Sequence, residues 1–391
     1  MKSRERVLIA LNHKEPDKIP LDLAGTTVTS IAYPAYENLR EYLQLKPDPE
    51  PQISHIHQGT VKPLEDILQH YQVDFRTVYM KKSPRGFIAK KLPDNSFYDE
   101  DKILWKKVVY DYSPVEAPLA ECTLEDLNKI TWPDPFDPAR VLGLREEAKQ
   151  LYETTEYAIV ADIMCRGPFE QAVKLRGYEQ FLVDISTDSK FTATLLDKIT
   201  ETIIGLWDVY LAAVSDYVHV VCQGDDLGMQ ASLIISPKMY RHFIKPCHKR
   251  IYDFIHSKTK AKLFMHSCGS IFDIIPDFIE IGVDILNPIQ RDAAKMEIGK
   301  LKKLFGKAIC FWGGGIDTNR ILPVASKSEI EDEVKRSIEI MADGGGYIFA
   351  LTHNIQPDIS PDHVDKVFRA VLKHREYPIA HYRFNHFPVK R

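Results

Sequence analysis

Between Tyr157 and Thr352 six short runs recur: YAIVAD (Tyr157–Asp162), HVVCQG (His219–Gly224), KLFMHS (Lys262–Ser267), DILNPI (Asp284–Ile289), AICFWG (Ala308–Gly313) and YIFALT (Tyr347–Thr352). Each is apolar almost end to end and stops at small or polar residues, as a strand covered on both faces requires; a half-exposed strand would alternate. The stretches FEQAVKLRGYEQFLVDI, FTATLLDKITETIIGLWDVYLAAV, MYRHFIKPCHKRIYDFIHS and EIEDEVKRSIEIMA lie between them, with apolar residues at the three- and four-residue intervals of a helix. Strands alternating with helices imply repeated βα units and a parallel sheet. Two earlier runs, IPLDLAG (Ile19–Gly25) and VDFRTVYM (Val73–Met80), raise the strand count to eight, which predicts an α/β fold of the TIM (β/α)8 barrel type. An open doubly wound sheet often carries a GxGxxG turn after its first strand, and none follows here. The clusters Gly313–Gly315 and Gly344–Gly346 read as tight turns beside late strands, the first also suiting a loop near an anion.

The chain of 391 residues is 44% hydrophobic and 27% charged, enough apolar material for a large core and too much for a disordered chain. The expected organisation is a single barrel domain over residues 1–391. Residues 85–137 break its rhythm with a two- or three-stranded hairpin (GFIAKKL, SFYDED, ILWKKVVYDY) and the passage WPDPFDP, read as an insertion or lid over the barrel mouth. A formal net charge of −4 supplies no broad basic surface for nucleic acid. No apolar stretch approaches the roughly 20 residues that span a bilayer. The 6 cysteines show neither regular spacing nor a CxxC pair, so the expected setting is reducing and cytoplasmic, without membrane attachment.

In a TIM barrel the reacting groups gather at the C-terminal ends of the strands. Asp22, Tyr79, Asp162, Asn287, Gln290, Trp312, Asn354 and Gln356 stand at or near such ends and are the candidate substrate contacts. The sharpest local feature is His266-Ser267-Cys268, since i and i+2 on an extended segment point the same way and bring an imidazole and a thiol together. Zinc accepts both, and a catalytic zinc takes three protein ligands with a fourth position open. His353 is the first candidate for the third ligand and Cys222 the second, and a carboxylate from Asp225 or Asp226 also suits. The bland alternative is a buried small hydrophobe beside an acid–base histidine. Adjacent residues face opposite ways, so one of Asp225 and Asp226 enters the mouth while the other caps a turn or helix. With His353 they are the catalytic candidates.

At HSCGSI, DILNPIQ, FWGGGID and ALTHNIQPDISPDHV the sequence resembles the uroporphyrinogen decarboxylase superfamily, most of all its methyltransferase-like branch. The resemblance implies a TIM barrel, matching the strand count. In the methyltransferases a His-x-Cys pair and a later Cys bind zinc; His266 and Cys268 match the pair, and His353 stands where the later Cys falls. The decarboxylase carries a His there, so His353 matches that branch. Its arginine-rich N-terminal segment, however, is replaced by LDLAGTTVTS (residues 21–30), without an arginine to hold substrate carboxylates. The resemblance thus implies zinc-dependent methyl transfer between a small substrate, a methyl ether or thiol, and a corrinoid (methylcobalamin). A partner protein would carry the corrinoid, because no DxHxxG-like cobalamin motif is present. Tyr98, Trp105, Tyr110 and Tyr112 of the insertion would wall an aromatic ether, and the family often forms homodimers. Porphyrinogen decarboxylation is the alternative function, and a non-catalytic small-molecule binding barrel the second alternative.

Overall fold

A computed structural model describes residues 1–81, 88–109 and 111–379; the expected wall residue Tyr110 and the first residues of the insertion, 85–87, lie outside them. Seven parallel strands, β1 (Phe75–Val78), β2 (Ala158–Ala161), β3 (Val220–Gly224), β4 (Lys262–His266), β5 (Ile285–Asn287), β6 (Cys310–Trp312) and β7 (Tyr347–Ile348), pair in sequence order. The first run supplies the eighth stave across the gap between β7 and β1. Asp22 N donates to Phe349 O and Phe349 N to Pro20 O, both at 2.9 Å, while Asp74 N donates to Leu21 O at 2.9 Å from the other edge. The TIM-type barrel is therefore closed by residues 20–22, and the chain leaves its ladder at Asp22 to form the mouth loop 23–30.

Every residue of β3 is buried, in keeping with its unbroken apolar run. Inside the barrel the Trp312 ring meets Phe75 and Phe264 at centroid distances of 4.4 and 5.2 Å. Each such ring contributes about 1.5–3 kcal/mol by leaving water. The 26-residue helix Ser189–Val214 begins where Asp188 accepts from Phe191 N. The helix Lys327–Met341 begins at a reciprocal Ser326–Glu329 capping box.

Two predicted helices are broken. FEQAVKLRGYEQFLVDI divides into Pro168–Arg176 and Tyr178–Thr187 because Gly177 takes φ +89°. In MYRHFIKPCHKRIYDFIHS, Pro246 has no amide hydrogen to donate, and a π-type turn at Tyr240–Ile244 leads into the helix Lys245–Lys258.

Between β1 and β2 the chain forms a four-stranded antiparallel meander, Ile88–Lys91, Phe97–Asp99, Leu104–Val108 and Asp111–Glu116. It has one more strand than expected, since ILWKKVVYDY turns back on itself near Val109, whose φ is +56°. A second antiparallel sheet joins Ile31–Ala32, Gln52–His55 and Thr60–Lys62. Strands of two to four residues leave too little pattern to read from sequence. Among the described residues no helix is long and apolar enough to cross a membrane.

Candidate metal and substrate site

The end of β4 turns His266 and Cys268 to the same side, with His266 Nε2 3.4 Å from Cys268 Sγ. Asp226 joins them from the loop after β3. Its Oδ1 accepts from Cys268 N at 2.9 Å and lies 3.7 Å from His266 Nε2. One donor atom from each of Asp226, His266 and Cys268 falls within 4.8 Å of the others. This approach depends on Gly228 and Gly269, whose loops pack backbone to backbone: a Cβ on Gly269 would stand 2.4 Å from the Gly228 carbonyl carbon.

Ligands of a tetrahedral zinc at the usual bond lengths are separated by about 3.6 Å (N to S) and about 3.4 Å (N to O). The observed 3.4 and 3.7 Å lie close to those two separations. His353 stands at the rim of the cluster, its Nδ1 3.9 Å from Cys268 Sγ. Cys222 lies deeper: it pairs in register with Phe264, two residues below His266 on the neighbouring strand, and is wholly buried. The carboxylate that reaches the pair is thus Asp226, and Cys222 is a barrel-interior thiol.

The Asp225–Asp226 pair divides. Asp225 turns away from the cluster and accepts from Phe169 N (3.0 Å), Glu170 N (2.7 Å) and His248 Nε2 (2.8 Å). It satisfies the first turn of the helix Pro168–Arg176 from outside that helix.

Several predicted substrate contacts are likewise held within the protein. Asp22 accepts from Trp312 Nε1 at 2.7 Å and from Gly25 N at 2.6 Å. Asp162 accepts from Thr27 N at 3.0 Å, and Asn354 accepts from Ser30 N at 2.6 Å while donating to Thr27 O and Gln58 Oε1. These four position the mouth loop and the barrel interior. Gln290 Oε1 takes Gly269 N at 2.8 Å and so supports the cluster's loop. Asn287 accepts from the ring of His266, Tyr79 lines the cavity, and Gln356 is half-buried beside Ile355.

His266 and Asp226 form part of the wall of a cavity of about 780 Å³, closed on another side by Trp105 and Tyr112 of the meander. Opposite the cluster stand groups the sequence reading passed over as site residues. Arg166 stacks on Trp105 at 4.8 Å and sits 3.7 Å from Glu170, and Lys174 Nζ lies 5.9 Å from the Trp105 ring. The His57 ring meets Trp105 at 3.7 Å between centroids. Glu170, Gln171 and Lys174 share one face of a helix whose start, Gly167-Pro168, follows the end of β2 across the short loop 162–166; that helical spacing is the signal that identifies them.

The electrostatics follow from burial. Glu170 is pushed up to about 7, first by burial and then by the charge of Asp226. Burial raises the Cys268 thiol well above its ordinary value, with Asp226 and Glu170 adding to the effect. Burial also lowers His353, helped by His266. Such an arrangement offers soft and hard donor atoms at one point and an aromatic, mixed-charge chamber beside it.

The uroporphyrinogen decarboxylase (URO-D) family matches residues 108–374, and the chain belongs to that family. The methylated-thiol–coenzyme M methyltransferase of Methanosarcina mazei is 26% identical over 189 residues, covering 47% of this chain and 48% of that protein. The uroporphyrinogen decarboxylase of Colwellia psychrerythraea is 24% identical over 261 residues, covering 63% and 67%. The matched segment thus spans about half the length of the methyltransferase relative. A solved methyltransferase from Methanosarcina mazei superposes with a TM-score of 0.65 at 18% identity, over 95% of this chain and 99% of that one, a likeness of fold.

Proposed function

We propose that the protein is a methyltransferase moving a methyl group between a small thiol or methyl ether and a corrinoid carried by a partner protein. The observation that carries this reading is the convergence of His266 Nε2, Cys268 Sγ and Asp226, with His266 and Asp226 lining the substrate-sized cavity. These three residues would hold a zinc ion, and His353, its Nδ1 3.9 Å from Cys268 Sγ, would stand within reach of it as a further donor. Bound there, zinc would supply Lewis acidity that stabilises a thiolate or polarises an ether oxygen.

The chain's own residues have separate tasks. His266 presents Nε2 because its Nδ1 is engaged by Asn287. Glu170, poised near neutrality, holds or releases a proton opposite Asp226. Trp105 and Tyr112 wall the chamber and exclude water, the role we assign to the inserted meander as a lid.

Porphyrinogen decarboxylation is less well supported. Among the described residues the arginines lining the cavity, Arg140 and Arg166, face Glu100 and Glu170, the lining lysines Lys62, Lys81 and Lys174 offer no bidentate grip, and the mouth loop 23–30 adds no cation. The test is a methyl-transfer assay with thiol and methyl ether donors, a corrinoid acceptor, and a chelator. Chelator-sensitive transfer that disappears in Cys268→Ser supports the reading. Metal-independent CO₂ release from uroporphyrinogen by an enzyme with no methyl transfer overturns it.

A further inference from the structure

The parallel register places Asn287, the last residue of β5, directly beside His266, the last residue of β4. Asn287 is wholly buried. Its Nδ2 donates to the Trp312 carbonyl of β6 at 2.8 Å, so the side chain cannot rotate without leaving that carbonyl unpaired. The other amide atom, Oδ1, therefore faces His266 Nδ1 at 2.6 Å and accepts a hydrogen from it. A carbonyl oxygen has no hydrogen to give, so the arrangement holds only if Nδ1 carries the ring proton. Nε2 is then left with its lone pair, pointing toward Cys268 and Asp226.

We infer that Asn287 is a positioning residue that fixes the tautomer and ring orientation of His266, and that it makes no contact with substrate. The inference rests on the proposed metal site for its consequence, but its geometric content does not depend on a metal. Three successive strands act as one device: the β6 backbone orients the β5 amide, and the amide orients the β4 imidazole. Partners of this kind on ligating histidines are worth about 10–100-fold in metal affinity. The direction is specific: aspartate at 287 keeps the acceptor for Nδ1 and loses only the donor to Trp312 O, whereas leucine loses both.

The experiment compares wild type with Asn287→Asp and Asn287→Leu. Metal-free protein labelled with nitrogen-15 at histidine reports the His266 tautomer by NMR at fixed pH. Competition against a chromophoric chelator reports zinc affinity, and thermal melting confirms that each variant is folded. The expected result is an Nδ1–H tautomer in wild type and Asn287→Asp, its loss in Asn287→Leu, and zinc affinity down about 10–100-fold in Asn287→Leu, with Asn287→Asp, which gives up only the bond to Trp312 O, between Asn287→Leu and wild type. A folded Asn287→Leu that keeps the wild-type tautomer, or binds zinc within threefold of wild type, overturns the inference. If wild type takes up no zinc but the tautomer shifts as expected, the metal reading fails and the positioning role stands.

Discussion

Replacing Asp225 by alanine removes the acceptor from three donors at once: the buried Phe169 amide and His248 ring and the part-buried Glu170 amide. Asp225 is 1% exposed and His248 is wholly buried, so water reaches these groups only through the space that the lost carboxylate vacates. An orphaned buried donor costs about 1–3 kcal/mol, and three of them, partly relieved by water entering, give a loss of roughly 3–6 kcal/mol. Against typical stabilities of about 5–15 kcal/mol this is a severe defect. Asn keeps one acceptor oxygen but turns an amide toward a donor, so Asp225→Asn falls between alanine and wild type. Asp226→Ala shows the reverse pattern, with stability within about 1 kcal/mol of wild type and impaired zinc binding, because that side chain is 43% exposed and faces the cluster. The assay is urea denaturation of metal-free protein followed by circular dichroism, paired with a zinc titration. An Asp225→Ala protein as stable as wild type, but without activity, would refute the scaffold role and make Asp225 a reacting carboxylate.

Two other predictions concern the frame around the site. Arg375, 1% exposed, binds Gln72 at 2.8 Å and faces Asp74 at 3.5 Å, tying the end of the helix Pro361–His374 to the segment entering β1. Arg6 still holds Asp74 at 2.6 Å when Arg375 is lost, so Arg375→Ala costs about 2–3 kcal/mol, at or below the low end for a broken buried pair; calorimetry checks it. Burial pushes Asp22 up to about 6, above its unfolded value near 3.9, despite hydrogen bonds from Thr29, Trp312 and Gly25 that lower it. Ionisation of Asp22 therefore costs stability in the folded state, and stability gained by its protonation grows as pH falls from about 7 to about 4. Asp22→Asn abolishes that component; a melting-temperature difference between wild type and Asp22→Asn that stays flat from pH 4 to pH 8 contradicts the account.

The strands were legible because a parallel barrel demands unbroken apolar runs, and Val220–Gly224 and Lys262–His266 announce themselves locally. The His266–Cys268 pair was legible for the same reason, since its convergence depends only on i, i+2 geometry at a strand end. What the sequence left open depends on contacts distant along the chain. Whether Asp225 or Asp226 enters the mouth is decided by the helix Pro168–Arg176, which claims Asp225 for its own first turn. Asn287 reads as a strand-end polar residue until the register sets it beside His266. Arg166, Glu170 and Lys174 become site residues only because the meander lays Trp105 across them. Asp22, Asp162 and Asn354, which look identical to substrate ligands in sequence, are taken up by backbone amides of the mouth loop.

The central claim is a metal held by His266, Cys268 and Asp226 at the cavity wall, and diffraction from zinc-loaded crystals on either side of the zinc absorption edge tests it most directly. The account predicts one anomalous peak per chain, about 2.0–2.3 Å from His266 Nε2, Cys268 Sγ and an Asp226 oxygen. It predicts that the same peak is absent in Cys268→Ser. Zinc-loaded crystals with no peak among these three side chains, or with the metal bound elsewhere in the chain, would contradict it.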